Sequence, residues 1–421
     1  MKPRMSVCIL VLIVFGISTQ YGIADDFNWP RWRGPNGNGI SAETNWDPAA
    51  LEGNPRILWK ANVGLGYSNV AIKDNRLYTM GMKGVVCLNA ETGEEIWRFA
   101  ERFPDPRATP AIERKLVYAS TSTGKIFCLQ VKNGKLRWEK NLESDYEVVR
   151  PYYSFAASPV FDGDLLIITA NNSGLVLDKK TGKKVWGSEK PPSSREIEAY
   201  WRGQTTGTDY ATPVLYDSGR KRYAVISSWE GIHAVEVETG SLRWLYKWEL
   251  YRACQISDPL IFDNKVFIAG ACFEDRKFGC VLLNIAGESP EVIWKNHNLD
   301  SQISSPVILD GYIYGVHGGP DMNSSSLRCL DVETGEVRWE EKLGEEMLSL
   351  MAADGKLIVL EDEGIIHIVE ATPMSYKEIS SADVLDGEKK PRNFWTPPVL
   401  CNGRIYCRNY AGDLVCIDVS K

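Results

Sequence analysis

The chain has 421 residues, with 48 basic and 55 acidic side chains and a formal net charge of −7. An acidic balance with no long basic run argues against nucleic acid as the main partner. Four scattered His, no CxxC and no adjacent Cys pair leave no motif for a metal or redox centre.

The first 24 residues hold Lys2 and Arg4, an apolar run from Val7 to Ile17, and Gly-Ile-Ala before Asp25. That order reads as a secretory signal peptide cut near Ala24. The apolar run is shorter than the ~20 residues of a spanning helix. No Cys follows the cut, so no lipoprotein signal is present. Losing Lys2 and Arg4 moves the formal charge from −7 to −9. No later segment is apolar enough to span a bilayer, so the mature chain is expected in the periplasm or otherwise outside the cytoplasm. Residues 25–54 read as an N-terminal arm and residues 55–421 as one repeated domain.

Two blocks alternate along that domain. The first is a turn and strand such as LNAETGEEIWRF from Leu88, LQVKNGKLRWEK from Leu129, LDKKTGKKVWGS from Leu177, VEVETGSLRWLY from Val235 and LDVETGEVRWEE from Leu330. In these five, a turn Gly (Gly93, Gly134, Gly182, Gly240, Gly335) precedes a Trp by four residues. A looser copy ends at Trp294. The second block is a hairpin with an Asp-Gly, Asp-Asn or Asn-Gly type turn. Its eight copies begin near Ser68, Ala108, Ala157, Ala211, Ser257, Ser304, Leu348 and Thr396.

Together the blocks make four short antiparallel strands, A to D, in each unit of about 40 residues, the arithmetic of a β-propeller. The last unit ends in its strand C, at DLVCIDVSK, while a lone Trp-bearing strand, PRILWK around residues 56–60, precedes the first hairpin. Pairing the two closes an all-β, eight-bladed ring and leaves no open edge. The repeated Trp is expected to seal the gap between blades, with its N–H finding a partner. Blade seven has Tyr376 near the Trp position and Pro373 in place of the turn Gly, so its seam is expected to be the weakest. Cys87, Cys128, Cys329 and Cys416 fill one equivalent small apolar slot, and a disulfide is considered among Cys254, Cys272 and Cys280.

Strand direction puts the D→A and B→C connections on one face and the short turns on the other. The longer D→A loops carry the candidate ligand-binding residues of a channel mouth: Arg107, Arg150, Tyr153, Trp201, Arg202, Asp209, Arg252, Asp258, Gln302, Arg392 and Trp395. Five arginines among aromatics on an acidic chain suit an anionic or planar ligand. The competing reading pairs each Arg with a nearby acid such as Asp105, Glu147, Glu198, Glu249 or Glu388. Asp258 precedes Pro259 where other blades mostly have Ser or Thr; it is either an inward base or a side chain bonded to nearby backbone.

The repeated A-x-D-x-x-T-G-x-x-x-W pattern resembles the PQQ-like propeller repeat of quinoprotein alcohol dehydrogenases and of BamB, over nearly all of residues 55–421. The arm NWPRWRGPNGNGISAE is similar to the leader of secreted propellers from planctomycete-type bacteria. The resemblance implies one of two roles. A BamB-like platform would be non-catalytic and bind a protein or other envelope component, with no cofactor. A quinoprotein dehydrogenase would hold PQQ between a Trp and a ring of two adjacent disulfide-bonded Cys, with calcium on Glu, Asn and Asp and an Asp as base. Trp201 and Trp395 are the candidate stacking residues here, and Asp209 and Asp258 the candidate carboxylates; the adjacent Cys pair is missing. Glycan binding or hydrolysis at the aromatic mouth is a further alternative.

Overall fold

The computed structural model describes residues 27–151, 154–171, 173–187, 210–228, 230–248, 256–270, 279–322, 324–384 and 393–421. Eight antiparallel sheets of four strands stand around an axis, with strand A innermost and strand D outermost. The ring closes as expected: Ile57–Asn62 pairs antiparallel with Asp413–Asp418 and supplies strand D of blade eight.

The repeated Trp works between units. Its indole N–H crosses to a backbone carbonyl in the C→D turn of the next blade: Trp59 to Ala90, Trp97 to Val131, Trp138 to Lys179, Trp186 to Val237, Trp294 to Val332 and Trp339 to Thr372, at 2.7–3.1 Å. The turn Gly of that next blade lies flat on the same indole. A Cβ built on Gly134 would come within 2.5 Å of the Trp97 ring, and one on Gly93 within 2.7 Å of Trp59. Gly and Trp thus recur together because each blade offers a Trp to its successor and a Gly to its predecessor. The exception is Trp244, whose N–H reaches the Tyr216 hydroxyl of its own blade at 3.1 Å.

The small slot is explained by the same geometry. Cys87, Cys128, Val176, Ala234, Cys329 and Cys416 stand directly across the strands from Trp97, Trp138, Trp186, Trp244, Trp339 and Trp59. Burial pushes the Cys87 thiol up to about 11 and the Cys128 thiol up to about 12, so both stay protonated and pack as small apolar groups. Cys280 is likewise a free buried thiol, which corrects the disulfide considered for it; Cys254 and Cys272 lie outside the described residues.

In register, blade seven differs from its sequence reading. Ser380, not Tyr376, occupies the Trp position, opposite Ile368. Tyr376 instead packs edge-on against Trp339, with ring centroids 6.1 Å apart. The missing indole is replaced by the N-terminal arm. Ser380 Oγ donates to the Pro48 carbonyl, and Trp46 and Leu51 are completely buried in a cluster with Ile366, Ile368, Val384, Leu400 and Ile417. The seam expected to be weakest is therefore filled by a side chain borrowed from elsewhere in the chain.

The rest of the arm makes one circuit of the inner ring, in the order of the blades. Asn28 accepts from Asp74 N, and Trp29 exchanges two backbone hydrogen bonds with Ile72 of blade one. The Pro30 carbonyl accepts from Ile112 of blade two. Trp32 reaches Asp258 of blade five at 2.6 Å, and Arg33 reaches the Pro306 carbonyl of blade six at 2.6 Å. Ile40–Ser41 lies parallel on Ala352 and Ala353 of blade seven. Glu43 accepts from the N–H groups of Asn402 and Gly403 in blade eight, while Asn402 Oδ1 accepts from Phe27 N at 2.9 Å. The circuit ends on the residue where it began.

Blade seven also holds a buried charge. His367 lies between Glu361 (2.8 Å) and Glu378 (2.7 Å), and Glu378 also accepts from Tyr376 and Ser381. Burial opposes its charge, but the hydrogen bonds to the two carboxylates outweigh that and hold His367 above the ordinary histidine range.

Three predictions follow from this packing. Trp46→Ala should cost about 3–5 kcal/mol in denaturant unfolding, as a fully buried indole is lost. Gly134→Ala and Gly355→Ala place a side chain on nearly equal φ angles of +68° and +66°, but only the first meets an indole. Gly355→Ala should cost about 1–2 kcal/mol of backbone strain, and Gly134→Ala about 1–3 kcal/mol more. Finally, a raised folded pKa contributes stability that is full below the unfolded value of ~6.5 and is lost as pH rises through the folded value. The stability gap between wild type and His367→Gln, followed by thermal melts, should therefore be wide at pH 6 and narrow by pH 8.5.

Candidate functional site

The inner ends of blades two to six are tied by a chain of hydrogen bonds. At the residue before the strand-A Pro, each backbone N–H donates to the side-chain oxygen of the next blade: Thr109 to Ser158, Ser158 to Thr212, Thr212 to Asp258, and Asp258 to Ser305, at 2.7–3.1 Å. The hydroxyl-rich ring seen in the sequence is thus a latch between blades, answering N–H groups that strand pairing leaves over.

Asp258 is a member of that latch and not an open base. One carboxylate oxygen takes the Thr212 N–H and the other takes the Trp32 indole N–H. Burial raises its pKa, opposed by the charge of Arg33 and by these hydrogen bonds. Trp32 and Arg33 of the arm were not foreseen as its partners. Nothing local in the sequence signals a contact across 226 residues.

The same face, made of D→A and B→C connections, carries an aromatic cluster at blades eight and one. Tyr67 stacks on Trp395 with centroids 5.1 Å apart and an interplanar angle of 17°, and leans on Tyr410 at 4.5 Å. All three are half-buried. The backbone around them is fixed by Tyr67 N donating to Pro106 O, Gly66 N to Tyr410 O, and Tyr410 N to Asn393 O. Arg107 and Asp105 form an ion pair beside Tyr67, whose hydroxyl is held above its usual range by burial first and by Asp105 and Tyr410 next. The structure therefore brings the expected Arg107 and Trp395 together through Tyr67. Tyr67 and Tyr410 were missed; Tyr67 sits in the D→A connection of blade one, readable by the same rule as the other loops.

Beside the cluster, blade seven turns through Glu361, Asp362 and Glu363, and Phe394 N donates to the Asp362 carbonyl. Burial, followed by the charges of Glu363 and Glu346, pushes the Asp362 carboxyl up to about 6. The mouth is thus acidic at blade seven and aromatic at blades eight and one, with the Arg107–Asp105 ion pair on the side of blade two.

The remaining candidates stand apart. Arg150 is ion-paired with Glu143, not with the nearer Glu147. Glu147 is the left-handed cap (φ 59°) of the short helix Leu142–Tyr146, while Glu143 lies in its first turn. Gln302 packs against Gly319, and its N–H donates to the Gly318 carbonyl. Tyr153, Trp201, Arg202, Asp209, Arg252 and Arg392 lie outside the described residues. Among the described residues, no three His, Cys, Asp or Glu side chains gather to hold a metal ion, and no helix is long and apolar enough to cross a membrane.

Comparison with known proteins agrees with this architecture. The family described as outer membrane protein assembly factor BamB matches residues 49–262. A polyvinylalcohol dehydrogenase from Sphingopyxis sp. (strain 113P3) is 24% identical over 238 residues, which cover 54% of this chain and 32% of that protein. BamB from Shewanella oneidensis is 22% identical over 216 residues, 43% of this chain and 53% of that one. The chain thus spans about a third and about half the length of these two curated relatives. The crystal structure of BamB from Moraxella catarrhalis superposes with a TM-score of 0.62 at 18% identity, over 86% of this chain and 97% of that one, a likeness of fold. With the family match, the closed ring of eight blades and the Gly-Trp repeat in agreement, the chain belongs to the BamB-like family of PQQ-type β-propellers.

Proposed function

We propose that this protein is an extracytoplasmic, non-catalytic binding platform that receives a protein partner on the D→A and B→C face. The observation that carries the reading is the half-buried Trp395–Tyr67–Tyr410 cluster, held on hydrogen-bonded backbone beside the acidic turn of blade seven and the Arg107–Asp105 pair. Rigid aromatic side chains offer large contact area at small entropic cost, and flanking charges of both signs orient a partner. The BamB family match supports a partner within the envelope, and the expected signal peptide supports the compartment. This reading needs no cofactor.

The likeness to a polyvinylalcohol dehydrogenase favours a second reading, a PQQ-dependent dehydrogenase with calcium. The described residues lend it no support: Asp258 has both oxygens engaged, no three His, Cys, Asp or Glu side chains gather among them, and Trp201 and Asp209 lie outside them. We derive no catalytic step through it.

Two measurements test the platform. A photo-crosslinking amino acid at Glu345, on the loop face, should capture a discrete envelope protein in cells, and one at Met374, on the opposite face, should not; equal capture at both, or none at either, overturns the assignment. A thermal melt with PQQ and calcium should show no shift and no dye reduction with alcohols or aldoses. Ligand at 100 times its Kd would stabilise by ~2.7 kcal/mol, so a clear shift with turnover would favour the enzyme.

A further inference from the structure

The closing strand Ile57–Asn62 leads from blade eight into blade one, and a groove of about 670 Å³ opens on the loop face beside that closure. Its lining combines the apolar Leu65, Met82 and Ala100 with the charged Lys83, Glu101 and Arg102. Leu65 is 41% exposed on a segment that is otherwise pinned. Val63 N donates to Gly412 O, Met82 N to Leu65 O, and Asn62 Oδ1 accepts from Gly64 N. Below the segment, the fully buried Arg408 donates to the carbonyls of Gly64 and Ser68 and to Thr79 Oγ1.

Charge here runs against the balance of the chain. Among the described residues, Lys83, Arg102 and Arg408 have no carboxylate partner. The acid on the groove wall, Glu101, is committed to Lys125 at 2.6 Å. Burial lowers Arg408 to about 9, in keeping with a cation that no acid balances. An apolar lining with an exposed Leu, set among unpaired cations on preorganised backbone, is complementary to an apolar side chain flanked by carboxylates.

Resting on the platform reading, we propose that this groove docks an extended segment of the partner protein carrying one large apolar side chain between acidic residues. Confinement of the apolar lining to a groove between two blades suits a chain segment, where a membrane would call for a broad apolar surface. The segment spans blades eight and one, so its binding also braces the closure of the ring.

The test uses the purified protein and three fluorescein-labelled decapeptides: alternating Glu and Leu, alternating Glu and Ser, and alternating Lys and Leu. Fluorescence anisotropy should show binding of the Glu/Leu peptide alone, weakening as salt rises, with a rise in Tm. Leu65→Asp and the pair Lys83→Glu with Arg102→Glu should each weaken it at least tenfold while leaving the Tm of the free protein within about 2 °C, since all three side chains are exposed. Equal binding of the Glu/Ser peptide would reduce the effect to bulk charge and overturn the proposal. Binding of phosphatidylglycerol vesicles in place of any peptide would overturn it in favour of a membrane. A photo-crosslinker at Leu65 separates the two levels of the argument. Capture at Glu345 without capture at Leu65 removes the groove and leaves the platform, whereas silence at both removes both.

Discussion

Everything in this fold depends on closing a ring of eight sheets whose ends are far apart in the chain. Strand pairing between Ile57–Asn62 and Asp413–Asp418 makes the covalent ends of the repeat into one blade. A sheet edge that is satisfied in this way offers no template for association. Pairing alone fixes only one blade, however, and each of the other seams has to be held by side chains. The Trp-to-carbonyl crossing with its covering Gly holds the outer part of a seam, and the Thr109-to-Ser305 chain of hydrogen bonds holds the inner part. Both devices are directional: where they occur, a blade donates to the next one around the ring, so an error in blade order would leave buried N–H groups unanswered.

The arm supplies what the repeat lacks. Blade seven has Ser380 where an indole belongs, and the arm covers that side of the blade through Pro48 and the buried Trp46 and Leu51. Asp258, where a hydroxyl belongs, brings a carboxylate into the inner ring, and the Trp32 indole answers its spare oxygen while Arg33 supplies opposing charge. The two departures from the repeat are therefore compensated by two parts of one segment. A departure that looks functional when read blade by blade is structural once the arm is in place. On the loop face the reverse holds, where half-exposed aromatics and unpaired cations have no such compensation.

Much of this was legible in the sequence, and the limits follow from distance along the chain. Blade number and closure could be read because the Gly-Trp turn and the hairpin are local signals repeated many times. The Arg107–Asp105 pair was anticipated because it spans two residues. The Trp position of blade seven was misassigned to Tyr376 because its C→D connection lacks the turn Gly that sets the count; strand register puts Ser380 there. Arg150 chose Glu143 because a short helix, capped by Asn141, turns Glu147 into the left-handed region. The partners of Asp258 and Ser380 were not legible at all. They come from a Gly-rich, non-periodic arm, and their contacts span 226 and 332 residues.

The circuit of the arm has a consequence for how the molecule is made. Phe27 and Glu43 both bind Asn402, and the Phe27 contact spans 375 residues. Phe27 is thus seated against a residue synthesised 375 positions later. Contacts of such high order are slow to form, and here they include the bracing of blades seven and eight. A chain cut short before blade eight would carry six or seven blades with neither its closing strand nor its inner hoop engaged. The ring and its hoop can thus close only once blade eight has been made, and a product lacking it would remain open and recognisable to proteases.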